Sequence, residues 1–198
     1  MPARAKKNRK PEKKSEGSFR IIAGEYRSRR LSFPEVEGLR PTTDRVRETV
    51  FNWMRHEVIG AKVLDLFAGS GALGFEAASR GAKHVQFIEK NAQAFRYLEQ
   101  NKALLNVPAS VSHVDALSFL ETYSGKPLDI VLIDPPFRKD LVNQVLELLD
   151  NRQVLAPDGL VYIETEAELS QLDIPSAWQE LKSKKAGQVI YRLYEIKA

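Results

Sequence analysis

From Lys62 onward, short apolar runs alternate with helix-length stretches. Lys62 to Phe67, Val85 to Ile88, Val111 to Val114, Ile130 to Ile133 and Leu160 to Ile163 are the apolar runs, and segments starting near Gly71, Ala92, Ala116 and Leu141 lie between them. Strand, helix and strand repeated in this way predict a parallel sheet covered on both faces, because right-handed crossovers lay helices there. The end of the chain departs from the pattern. Trp178 to Lys185 and Gln188 to Ile196 are joined across Ala186-Gly187, which predicts an antiparallel hairpin closing the sheet. Ahead of the alternation, Phe19-Arg20-Ile21-Ile22 and Arg30-Leu31-Ser32-Phe33 read as a small hairpin turned at Ala23-Gly24-Glu25, with order expected from Ser18. Thr42-Thr43-Asp44 then reads as the cap of a helix whose apolar positions Val46, Val50, Phe51 and Met54 recur at helical spacing, with Arg45 and Arg47 on its more polar side. There is no internal repeat.

Composition narrows the class. The 198 residues are 43% hydrophobic and 28% charged, as in a soluble globular domain, and no uncharged apolar run approaches the roughly 20 residues of a membrane helix. No large apolar residue follows Met1 before Phe19, so no secretory leader is predicted and a cytoplasmic location is expected. With no cysteine, a disulfide framework, a thiolate nucleophile and cysteine-ligated metals are excluded. His56, His84 and His113 lack metal-site spacing, so no metal is expected.

Charge is unevenly spread. Residues 1–30 hold eleven Lys/Arg and three acids, a net +8, which leaves 19 basic and 23 acidic residues, a net −4, in 31–198. That asymmetry points to a polyanionic partner, since Lys and Arg placed on phosphates release counterions. Arg20, Arg27, Arg29 and Arg30 of the hairpin, with Arg45 and Arg47 of the following helix, are the candidate contacts to such a polyanion, which the resemblance described below implies to be RNA. Residues 1–17 read either as a solubilising disordered tail or as an RNA arm.

The candidate chemistry lies at the strand ends. Gly69, Gly71 and Gly74 form a G-x-G-x-x-G after the first parallel strand, a loop that brings backbone close to a ligand and aims a helix N-terminus at it. A dinucleotide or another nucleoside satisfies it equally. Glu89, 20 residues beyond Gly69, can accept both ribose hydroxyls in either case. Asp65 suits an ammonium group rather than a pyrophosphate, and Asp115 can accept from an adenine amine. Singly, each acid reads as readily as a helix cap or a solvated loop residue. Together, at the carboxyl ends of parallel strands, they describe a site for a cationic, ribose-bearing adenosine ligand, and S-adenosylmethionine matches better than NAD. Asp134-Pro135-Pro136-Phe137 follows the fourth parallel strand. Consecutive prolines remove backbone donors and leave carbonyls free, so these carbonyls and Asp134 can hold an exocyclic amine while Phe137 stacks on an extruded base. The competing reading is a rigid turn with Phe137 packed inward.

The order Asp65, Gly69/Gly71, Glu89, Asp115 and Asp134 to Phe137 resembles class I S-adenosylmethionine-dependent methyltransferases acting on exocyclic amines. Arg20 to Gly24, Arg40-Pro41-Thr42-Thr43-Asp44-Arg45-Val46-Arg47-Glu48, Phe67 to Gly74 and Ala186 to Tyr194 further resemble the bacterial small-subunit ribosomal RNA guanine-N2 methyltransferases of the D family. The resemblance implies a Rossmann-like α/β fold with a mostly parallel seven-stranded sheet and an antiparallel C-terminal hairpin. The expected organisation is a tail at 1–17, an RNA-contacting hairpin and helix at 18–58, and a methyltransferase domain at 59–198. It implies S-adenosylmethionine as cofactor, held by Asp65, Ala68, Gly69, Gly71, Glu89, Asp115 and Ala116, with Asp134, Pro135, Pro136 and Phe137 at the reacting amine. The implied partner is ribosomal RNA within an assembling small subunit, met by a monomer. Two other readings are a noncatalytic ribosome-assembly factor on the same fold and a DNA adenine-N6 methyltransferase, for whose usual target-recognition segment the chain has little room. A nicotinamide oxidoreductase would leave Asp134 to Phe137 without a role.

Overall fold

A computed structural model describes residues 16–36, 39, 41–137, 141–169 and 171–197; the expected tail up to residue 15, and Arg40 of the long N-terminal motif, lie outside the described residues. The hairpin is β1 (Glu16–Arg20) and β2 (Arg30–Pro34), antiparallel, with Phe19 opposite Leu31. It starts at Glu16, two residues before the expected Ser18, and ends at Arg20 rather than Ile22. The early end has a physical cause, since the N–H groups of Ile22 and Ala23 donate to Glu76, 2.8 and 3.1 Å away, instead of to a strand partner. Helix α1 (Asp44–Trp53) is capped by Thr43, whose hydroxyl accepts from Val46 N–H, and its buried Val46, Val50 and Phe51 follow the predicted helical spacing.

The remaining elements form the α/β body. They are β3 (Lys62–Asp65), α2 (Ala72–Ser79), β4 (His84–Glu89), α3 (Ala92–Leu105), β5 (Ala109–His113), α4 (Ala116–Glu121), β6 (Leu128–Ile133), α5 (Leu141–Asn151), β7 (Leu155–Glu166), β8 (Trp178–Ala186) and β9 (Val189–Ile196). The sheet order is β5-β4-β3-β6-β7-β9-β8. Strands β3 to β7 are parallel, whereas β9 runs antiparallel to both β7 and β8. Strand order reverses between β4 and β6 around β3, and ligands bind open sheets at such a switch point, outside the carboxyl ends of the strands.

Alternation along the strands divides the interior in two. One core contains Val63, Phe87, Leu132 and Tyr162 together with residues of α1, α2 and the hairpin, including Phe19, Leu31, Val50 and Phe51. The other contains Leu64, Ile88, Val131, Ile133 and Ile163 with residues of α4 and α5. Residues 18–58 thus pack into the same core as the body of the protein. No helix among the described residues is long and apolar enough to cross a membrane.

Candidate active site

Asp65 is the last residue of β3 and 2% exposed. Gly74 N–H donates to its Oδ2 at 2.9 Å. A Cβ on Gly74 would lie 2.9 Å from that oxygen and 2.2 Å from the Phe87 ring, so only glycine lets α2 approach the strand this closely. Burial pushes the Asp65 carboxyl up to about 7; the Gly74 bond opposes the rise and the nearby Glu89 charge adds to it. The loop after β3 is held open by left-handed turns at Gly69 (φ 50°) and Gly71 (φ 80°), and Gly71 precedes the first turn of α2. A Cβ at Gly71 would strike Leu98 and Phe75 at 2.6 Å, whereas one at Gly69 would meet nothing closer than Leu39 at 3.7 Å. Gly71 is therefore shaped by packing, and Gly69 faces space.

Glu89 ends β4 and closes this loop. Its Oε2 accepts from Gly69 N–H at 2.8 Å and its Oε1 from Asn91 N–H at 2.6 Å, so backbone on both sides orients the carboxylate. Asp115 caps α4 by accepting from Leu117 N–H at 3.0 Å, and its other oxygen lies 3.6 Å from exposed Lys90. Ala68 and Ala116 are buried beside these two positions. The capping reading of Asp115 therefore describes its contacts within the chain, while Asp65 and Glu89 both bind the glycine loop itself.

Asp134 follows β6, and Thr42 Oγ1 donates to its Oδ2 at 3.1 Å across 92 residues of sequence. The residues before α1 thus reach the tetrapeptide directly. Burial is the largest cause raising the Asp134 carboxyl well above the ordinary range, followed by the Glu164 charge; Thr42 opposes and Asp65 adds. Pro135 is buried and Pro136 exposed. Phe137 is 44% exposed, so the reading in which it packs inward does not describe it. A cleft of about 400 Å³ beside this point is lined by Ser18, Phe19, Arg20, Arg30, Pro41, Thr42 and Asp44.

Among the expected RNA contacts, Arg20, Arg27, Arg29, Arg30 and Arg45 are exposed, and Arg20 and Arg30 line that cleft. Arg47 requires a correction: it is fully buried and offers no surface to RNA. Its guanidinium donates to Asp44 at 2.6 Å and to the carbonyls of Arg20 at 2.8 Å and Thr42 at 3.2 Å, and it sits 3.5 Å from buried Glu76 and over the Phe19 ring. The helical pattern placed Arg47 on the polar side of α1, but β1 and α2 cover that side. Glu76, which accepts from Ile22, Ala23 and Arg80, and Ser79, which accepts from Tyr26 and donates to Ala23 carbonyl, are the anchors of the N-terminal segment. Sequence reasoning missed both. A lone charged residue in the otherwise uncharged Ala72–Ser79 helix was the available signal for the first.

A family model described as Conserved hypothetical protein 95 matches residues 19–195. Ribosomal RNA small subunit methyltransferase D of Escherichia coli is 44% identical over 191 residues, 96% of each chain. The chain belongs to the ribosomal RNA small subunit methyltransferase D family. The solved structure of yhhF from Escherichia coli superposes with a TM-score of 0.86 at 43% identity, covering 92% of this chain and 99% of that one. The T. thermophilus 16S rRNA N2 G1207 methyltransferase, solved with AdoMet and guanosine, shares the fold at a TM-score of 0.71 and 22% identity, over 93% of this chain and 50% of that one.

Proposed function

We propose that this family member, a methyltransferase of small-subunit ribosomal RNA that uses S-adenosylmethionine, methylates the exocyclic N2 amine of a guanine. The observation that supports the reading is that Asp134-Pro135 and the Gly69–Gly71 loop follow the carboxyl ends of neighbouring parallel strands β6 and β3.

The residues present fit the cofactor. Glu89, oriented by two backbone N–H groups, keeps lone pairs for a vicinal diol, and the space at Gly69 admits a ligand against the backbone. Asp65 suits the methionine ammonium group, and Asp115 with Ala116 suits the adenine. The bound cofactor supplies an electrophilic methyl group. The protein's share of the chemistry is mostly positioning, because the N2 lone pair is delocalised into the ring and must be aimed. Asp134 and the Pro135 carbonyl accept the two N–H donors of the amine, which turns its lone pair toward the methyl group and stabilises positive charge developing on nitrogen. Asp134 is also placed to take the proton that the amine loses. Exposed Phe137 is free to stack on the extruded base, and Arg20, Arg27, Arg29, Arg30 and Arg45 meet the phosphates.

The test is incubation with methyl-labelled S-adenosylmethionine and small-subunit ribosomal RNA from cells lacking the enzyme, both as naked RNA and as assembled subunits, followed by nucleoside analysis. N2-methylguanosine is the expected product. Label in N6-methyladenosine, or in no nucleoside, overturns the reading.

A further inference from the structure

The mechanism above leaves one buried acid unused. Glu164 is 7% exposed and lies near the end of β7. Ile133 and Ile163 are register partners on parallel strands β6 and β7, so Asp134 and Glu164 occupy the next position on the two strands. Alternation sends both isoleucines toward α4 and α5, which turns both acids to the opposite face, the side of Tyr162 and α1. Glu164 is held there by Tyr162, whose hydroxyl donates to Oε2 at 2.7 Å. Among the described residues no donor reaches Glu164 Oε1 or Asp134 Oδ1, and no Lys or Arg pairs with either acid. Next across the sheet comes Tyr191, the register partner of Glu164, stacked on Trp53 of α1 with ring centroids 5.3 Å apart.

Glu164 is buried and Asp134 half-buried, and two such carboxylates side by side, with no cation among the described residues paired to either, cost free energy unless donors meet them. Guanine brings the matching set. Its Watson–Crick edge presents an N1–H next to the N2 amine, whereas adenine presents an acceptor at N1, which a carboxylate repels. Neighbouring strands stand about 4.8 Å apart, a spacing at which one carboxylate can take an amine N–H and the other the ring N–H. We propose that Glu164 is the guanine-selecting residue of the site, accepting the base's N1–H while Asp134 holds its N2 amine. The inference rests on the N2-guanine reading and adds to it the group that tells guanine from other amine-bearing purines.

The test separates the two claims. Small-subunit RNA is prepared with guanine or with 2,6-diaminopurine at the mapped target; the analogue keeps the N2 amine but turns N1 into an acceptor. The wild-type enzyme is expected to favour guanine by tenfold or more in kcat/KM, since a site built around a donor rejects a ligand that lacks it. Glu164→Gln, whose amide can donate to an acceptor N1, is expected to lose at least tenfold on guanine and bring the ratio to within about threefold, with S-adenosylmethionine affinity unchanged. Tyr162→Phe, which removes the hydroxyl that holds Glu164 in place and so lets its carboxylate turn away from N1, should narrow the ratio in the same direction by less, and serves if the Gln variant does not fold. A ratio that stays at its wild-type value in the folded variants overturns the role of Glu164 while leaving N2 methylation standing. A wild-type enzyme that forms no N2-methylguanosine overturns the underlying reading instead.

Discussion

The two faces of one sheet are built from the same strands and carry opposite chemistry. Toward α4 and α5 the strands present Leu64, Ile88, Val131, Ile133, Val161 and Ile163, all apolar and buried. Toward α1, α2 and the hairpin they present Val63, Phe87 and Leu132, and then at the carboxyl ends Asp65, Asp134 and Glu164. The helices follow suit. Buried Arg47 and Glu76 belong to α1 and α2, while α5 contributes only apolar buried residues. One face thus supplies close-packed burial, which stabilises without direction. The other spends part of that stability on charged groups with fixed geometry, and every candidate reaction group is found there or at its rim.

Breaking the ion cluster should show the largest difference. Arg47→Met leaves Glu76 and Asp44 without their shared partner and is expected to cost about 3–5 kcal/mol in denaturant unfolding; Ile133→Val on the apolar face should cost about 0.5–1.5 kcal/mol and leave methyl transfer intact. A similar loss from both substitutions would show that the N-terminal segment is not clamped through Arg47.

At the reacting end, Asp134→Ala is expected to slow single-turnover methyl transfer by about 10²–10³-fold with S-adenosylmethionine affinity within a few-fold of wild type. Phe137→Ala should slow it less, because stacking contributes about 1–3 kcal/mol. Near wild-type turnover in a well-folded Asp134→Ala protein would leave the chemistry to the backbone carbonyls alone.

The pH dependence sharpens the contrast further. Asp65 titrates at about 7 in the folded protein, above the ordinary carboxyl value near 3.8, so between those values the native state holds a proton that the unfolded chain has released. Its contribution to stability is complete below the unfolded value and is lost as pH rises through about 7, with a slope of at most about 1.4 kcal/mol per pH unit. Unfolding titrations of Asp65→Asn should lose this part of the slope. An unchanged pH profile would mean that Asp65 is ionised in the folded state throughout.

The smallest effects belong to the exposed arginines. Replacing Arg27 or Arg29 by Ala is expected to weaken RNA binding modestly and lower the salt slope by about one for each phosphate that is no longer neutralised, with cofactor affinity unchanged. An unaltered slope would assign the RNA to another surface.

Much of this architecture is local in origin. Runs of apolar residues broken by helix-length segments specify a parallel sheet, because each strand buried on both faces must be apolar throughout and each crossover must be a helix. The Gly69-x-Gly71 loop and the Asp134-Pro135-Pro136-Phe137 turn are equally local, since left-handed φ and missing donors are properties of the residues themselves. The partners of the polar side chains are a different matter. Helical spacing set Arg47 apart from the apolar stripe of α1, but whether that side met water or Glu76 depended on how α2 and β1 were laid against it. The bond from Thr42 to Asp134 spans 92 residues, that from Ile22 to Glu76 spans 54, and Glu164 joins Asp134 only because β6 and β7 pair in one register. Periodicity reports which side of an element a residue is on, and the packing of one element against another decides what that side meets.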